Sequence, residues 1–173
     1  CCFALDKYPV GDLNKNSMAE VFNNDTMKGL RKNMLSNKPS KQCGKCYDQE
    51  QSGFFSLRLS SNKHFGHNIG MVDSTTPEGK ADFVIKYWDI RFSNLCNLAC
   101  RSCGTWFSSN WYEDHKKLTG APPNHAKVMK VGRSSNDIWE QMLDQFEHVE
   151  QFYFAGGEPI IMEEHYRILK ELD

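Results

Sequence analysis

The stretch CNLACRSC places Cys96, Cys100 and Cys103 within eight residues, separated by three and then two intervening positions. Three thiols cannot all pair as disulfides, and they are one short of the four ligands that close a structural zinc site. Soft thiolates select zinc, copper(I) or iron–sulfur clusters. His115, the nearest histidine after the loop, lies about three helical turns on. Three cysteines around a four-iron cube would leave one iron open, and an open position is a catalytic feature rather than a structural one.

The residues before this loop read as a strand. Val84, Ile85, Tyr87, Trp88, Ile90 and Phe92 are β-formers in a nearly continuous run, the pattern of a strand covered on both faces in a parallel sheet. A helix over 105–118 follows, with Trp106, Phe107, Trp111 and Leu118 available for packing. Asn136 caps another, which runs through Ile138, Trp139, Met142, Leu143 and Phe146. VEQFYFAGGEP is a second strand ending in a glycine turn, and a last helix carries Ile161, Tyr166, Leu169 and Leu172 as its apolar residues. Glu163 and Glu164 form its solvated face. The order is that of a βαβ unit with a right-handed crossover. Loops at the C-terminal ends of such strands are where α/β folds bind ligands. Gly156 and Gly157 let the backbone approach a ligand closely, and Glu158 with free backbone groups could bind an ammonium.

Upstream, Ser17 and Glu20 form a capping box ahead of Val21 and Phe22. Asp25 caps a helix with Met27, Leu30 and Met34 on its core side, and Pro39 lies beyond its end. Cys43 and Cys46 sit in a tight turn made permissive by Gly44. A helix from Asp48 to about Ser61 turns Phe54, Phe55 and Leu57 inward. DSTTPEGK, 73–80, is the best domain boundary.

The chain has 173 residues and seven cysteines, grouped locally rather than spread as in a disulfide scaffold, so metal ligation in a reducing compartment is the expectation and the location is read as cytoplasmic. A net charge of −1 gives no electrostatic case for a nucleic-acid or anionic-membrane partner. No apolar run approaches the roughly 18 residues of a membrane helix. Of the six histidines only His64 and His67 show ligand-like spacing. The chain opens on CCFALD and stops in a helical segment, so it reads as a piece of a longer protein, inactive alone, whose further strands lie past Asp173.

CNLACRSC followed by GGEP resembles the radical S-adenosylmethionine enzymes. The resemblance implies an α/β fold, here the N-terminal part of a partial (β/α)6 barrel. Cys96, Cys100 and Cys103 would ligate a 4Fe-4S cluster whose open iron chelates S-adenosylmethionine. Gly156, Gly157 and Glu158 would contact its amino group, with Pro159 shaping the turn. One electron from the reduced cluster would then yield a 5′-deoxyadenosyl radical that abstracts a substrate hydrogen. The family implies an electron donor such as ferredoxin or flavodoxin, and a substrate that is a peptide or another molecule. In one departure, the aromatic usual before the third cysteine is Ser102; Trp106 or Phe107 could take over its contact with the adenine.

The N-terminal 50 residues resemble the SPASM and twitch modules of these enzymes, with Cys2, a Gly-Asp-Leu, an Arg-Lys-x-Met-Leu helix end and Cys43-x-x-Cys46. The resemblance implies an auxiliary iron–sulfur cluster on Cys43, Cys46 and Cys2, with Cys1 as the other candidate; the spacing alone also suits zinc. The expected organisation is a small, mostly helical module over 1–72, a linker over 73–81 and the first barrel units over 82–173. The competing reading is a non-catalytic protein holding zinc or iron–sulfur centres for structure or interaction.

Overall fold

A computed structural model describes residues 9–131 and 135–173, with side chains for all of these except 135–137. Cys1, Cys2 and the capping side chain expected at Asn136 lie outside the described residues. The chain divides between Phe83 and Val84 into two compact units.

The first unit is helical. The Ser17 hydroxyl accepts from Glu20 N at 3.2 Å and the Glu20 carboxylate accepts from Ser17 N at 2.8 Å, so the capping box starts α1 (Met18–Phe22). In α2 (Asp25–Leu35) the cap is Asn24, not Asp25: Asn24 has the extended backbone a cap needs, and its Oδ1 accepts from Met27 N at 2.9 Å. Asp25 occupies the first helical position, where its charge complements the helix dipole. Met34 is 59% exposed, so it is not a core residue of this unit.

Arg31 of α2 ties the unit together. Its guanidinium donates to Phe22 O, Asn23 Oδ1 and Gly79 O, and lies 4.2 Å from the centre of the Phe22 ring. Asn23 also exchanges two hydrogen bonds with the backbone of Ala81, and Phe83 packs edge-on against Phe22 at 5.3 Å. Residues 79–83 are thus fastened to α1 and α2 by specific bonds.

The region of Cys43 and Cys46 is helical rather than a tight turn. A 3-10 turn, Lys41–Cys43, runs into α3 (Gly44–Gln51), and Gly44 sits at φ −50, a conformation open to any residue. The helix expected over 48–61 is broken. Gly53 at φ +81 ends α3 region geometry, and Ser56 caps a new helix, α4 (Leu57–Phe65), by accepting from Leu59 N. Phe54 and Phe55 fall in the break and are 69% and 66% exposed, so they do not face inward. A 3-10 segment, Gly66–Ser74, follows α4.

The second unit is built on two short parallel strands, β1 (Tyr87–Ile90) and β2 (Gln151–Phe154), in register Trp88 to Phe152 and Ile90 to Phe154. Those four side chains share one face. Phe146 packs edge-on against Phe152 and Trp139, and His165 against Phe154, so that face is covered by α6 (Ser135–Leu143) with the turn after it and by α7 (Glu163–Leu172). The core comprises Trp88, Ile90, Ile138, Trp139, Met142, Met162 and Ile168.

On the other face Tyr87 and Tyr153 are 38% and 50% exposed and Asp89 is half-buried, so among the described residues that face of β1 is covered only in part. The apolar run from Val84 to Phe92 overstates the strand, because only its central four residues pair. The helix expected over 105–118 begins later, as a 3-10 turn Ser109–Trp111 leading into α5 (Tyr112–Thr119). Trp106, Phe107 and Leu118 are exposed. In α7 the buried residue is Ile168, while Tyr166, Leu169 and Leu172 are exposed; Ile161, also exposed, falls in a 3-10 turn before the helix rather than in it. No helix among the described residues is long and apolar enough to cross a membrane.

Candidate metal centre

Parallel pairing of β1 with β2 delivers both C-terminal loops to one edge of the sheet. The cysteine loop leaves β1 and the glycine turn leaves β2, and the two bond to each other through their backbones. Glu158 N donates to Leu95 O at 2.8 Å, and Gly157 N donates to Phe107 O at 3.0 Å. The turn therefore touches the cysteine loop at both its entry and its exit.

Only glycine fits there. Gly156 and Gly157 have φ of +74 and +52, and a Cβ on Gly157 would lie 2.1 Å from Leu95 O. A Cβ on Gly156 would lie 2.9 Å from the Cβ of Arg91. The N–H groups of Gly157 and Glu158 are committed to the cysteine loop. Oxygen atoms, including the Glu158 carboxylate that caps the Pro159–Ile161 turn, are what the glycine turn can offer a cation. The free backbone groups expected there are in this sense acceptors, the polarity an ammonium requires.

The cysteine loop is fixed by a polar frame that the cysteine spacing alone does not reveal. Asn94 is buried; its Nδ2 donates to Thr105 O and Lys127 O at 3.1 Å each, and its Oδ1 accepts from Met129 N at 2.8 Å. Ser109 Oγ accepts from Cys96 N, Ser108 Oγ donates to Leu98 O, and Trp111 Nε1 donates to Cys100 O. His125 accepts or donates at Thr105 Oγ1 and packs at a tilt of 41° against Trp106, ring centres 4.3 Å apart. The sequence signal for this frame is the Ser and Asn residues bracketing the loop, a composition suited to local side-chain-to-backbone bonds. Substituting Asn94 by alanine removes three part-buried hydrogen bonds to the backbone. It is expected to cost about 3 kcal/mol, measured as a lowered midpoint in denaturant unfolding.

Cys96, Cys100 and Cys103 are free thiols, the first partly buried and the other two exposed. Leu98 N donates to Cys96 Sγ at 3.3 Å. Among the described residues no three His, Cys, Asp or Glu side chains converge as a metal-holding group, so the structure fixes the loop backbone without gathering its sulfurs. Metal–ligand bonds themselves supply much of the free energy that assembles such a set. The donor chemistry, the N–H directed at Cys96 and the glycine cradle fit a thiolate-bound metal.

In the first unit Cys46 is 1% exposed in the opening turn of α3, and Cys43 stands at its N-cap. Both are free. Three residues before Cys43, the Ser40 hydroxyl is buried without a hydrogen-bond partner among the described residues. An unpaired buried hydroxyl costs about 1–3 kcal/mol, which an acceptor such as cluster or thiolate sulfur would offset. The donor chemistry of these residues also fits a metal held by thiolates.

No curated protein and no solved structure matches this chain. Residues 1–47 match the SPASM family model, described as an iron-sulfur cluster-binding domain, which indicates iron–sulfur binding in the segment that holds Cys1, Cys2, Cys43 and Cys46.

Proposed function

We propose that this chain is part of a radical S-adenosylmethionine enzyme. In this reading Cys96, Cys100 and Cys103 hold a 4Fe-4S cluster, and Gly156, Gly157, Glu158 and Pro159 form the turn that receives the amino group of S-adenosylmethionine. The first unit holds an auxiliary iron–sulfur cluster on Cys43 and Cys46 with Cys2. The observation that carries the reading is the backbone docking of the glycine turn on the cysteine loop. A zinc module of purely structural purpose has no use for a closely docked, left-handed glycine pair at that edge. The SPASM match supports the auxiliary centre from the other end of the chain.

When bound, the cluster and S-adenosylmethionine supply one-electron cleavage of the sulfonium and hydrogen-atom abstraction. The chain's own part is positional. Asn94, Ser108, Ser109 and Trp111 hold the cysteine backbone in place. Gly157 brings Glu158 against Leu95, beside the first cysteine. Trp106, 57% exposed, offers a flat surface where Ser102 cannot. A reduced ferredoxin or flavodoxin fits as the electron source, and a peptide fits as one class of substrate.

Metal and sulfide analysis tests the reading. The full-length protein, purified without oxygen, is expected to contain iron and acid-labile sulfide at both cysteine groups. Zinc without sulfide would refute it and leave the structural zinc reading standing.

A further inference from the structure

Beyond residue 47, where the SPASM match ends, an ion pair is built against the face of α3 that carries Cys46. Glu50 lies one helical turn after Cys46, on the same face. Arg58 of α4 grips it with both prongs of the guanidinium: Nε donates to Oε1 at 3.0 Å and Nη2 donates to Oε2. Ser56, 1% exposed, adds a third bond by donating to Glu50 Oε1 while it caps α4. The Arg58 guanidinium also lies 5.4 Å from the ring centre of Tyr47, the residue next to Cys46. The pairing holds the Glu50 carboxyl below its ordinary range, and Arg58 and Cys46 are near enough to interact electrostatically.

We infer that Arg58 is a positioning residue for the auxiliary cluster: paired with Glu50, it orients the helix bearing Cys46 and its charge raises the reduction potential of the metal centre bound there. The inference rests on the proposed cluster in the first unit. Net charge around an iron–sulfur centre is one of the determinants of its potential. Reduction adds negative charge, and a nearby cation stabilises that state by Coulomb attraction. Glu50 opposes the effect while fixing where the cation sits. Lysine keeps the charge but loses the two-pronged grip.

The test uses the full-length protein with Cys96, Cys100 and Cys103 replaced by alanine, so that the proposed central cluster does not contribute to the signal. After anaerobic reconstitution with iron and sulfide, its potential is read by electron paramagnetic resonance during a redox titration. Arg58→Ala is expected to shift the potential negative, Glu50→Gln to shift it positive, and Arg58→Lys to stay close to the parent. Circular dichroism of the apo forms checks folding; should Arg58→Ala fail to fold, Glu50→Gln and Arg58→Lys decide. Unchanged potentials in Arg58→Ala and Glu50→Gln at full iron content would overturn the inference. So would an Arg58→Lys shift as large as that of alanine, since the effect would then follow shape and not charge. A parent that binds no iron and sulfide would instead refute the auxiliary cluster itself.

Discussion

In the full-length protein, alanine at Cys96, Cys100 and Cys103 together is expected to bring 5′-deoxyadenosine release from S-adenosylmethionine down to the level of a protein-free control. The three thiols are the whole protein ligand set proposed for the central cluster, and no other cysteine lies on the second unit. The same variant should keep its fold. Cys100 and Cys103 are exposed, and surface substitutions of this kind usually change stability by no more than about 0.5 kcal/mol. Iron content should fall while the apo protein's unfolding midpoint stays near the parent's. That combination separates ligand loss from collapse of the loop. Continued 5′-deoxyadenosine production by the triple variant would remove these cysteines from the site.

The second large effect belongs to Gly157. Gly157→Ala is expected to destabilise the second unit by about 3 kcal/mol, combining left-handed strain with loss of a backbone bond. The new Cβ would sit 2.1 Å from Leu95 O, which is backbone and cannot rotate away. Relief requires the turn to lift from the cysteine loop, breaking the Glu158-to-Leu95 bond. For a unit of this size the melting temperature should fall by roughly 10–20 °C, read by thermal unfolding of the apo protein. Gly104→Ala is the control within the same loop, because nothing lies within 4 Å of its added Cβ. Equal melting temperatures for the two variants would show that the docked glycine turn does not support the loop.

Several local features could be read from residue types because local chemistry decides them. The Ser17–Glu20 capping box needs only its own four residues. The order of strands and helices from residue 84 onward follows the apolar runs, and the parallel pairing follows from a long helical crossover. Features set by competition between neighbours were harder to read. Asn24 and Asp25 are both capable caps, and the backbone turn placed Asn24 at the boundary. Phe54 and Phe55 look like core residues, yet Ser52 and Gly53 stop α3 just ahead of them and leave both outside it.

By itself the sequence determined which chemistry is available: three closely spaced thiols after one strand, a glycine pair after the next, and a Cys-x-x-Cys far upstream. Those are properties of residue type and spacing, and a linear chain displays them. Only the tertiary structure decided what holds them. Parallel pairing of four-residue strands sets Gly157 against Leu95, and the buried Asn94 joins the cysteine loop to residues more than thirty positions away. Across the break after α3, Arg58 reaches back to Glu50 below Cys46. Hydrogen bonds between distant segments depend on where the backbone brings them. Composition and periodicity carry no record of that placement.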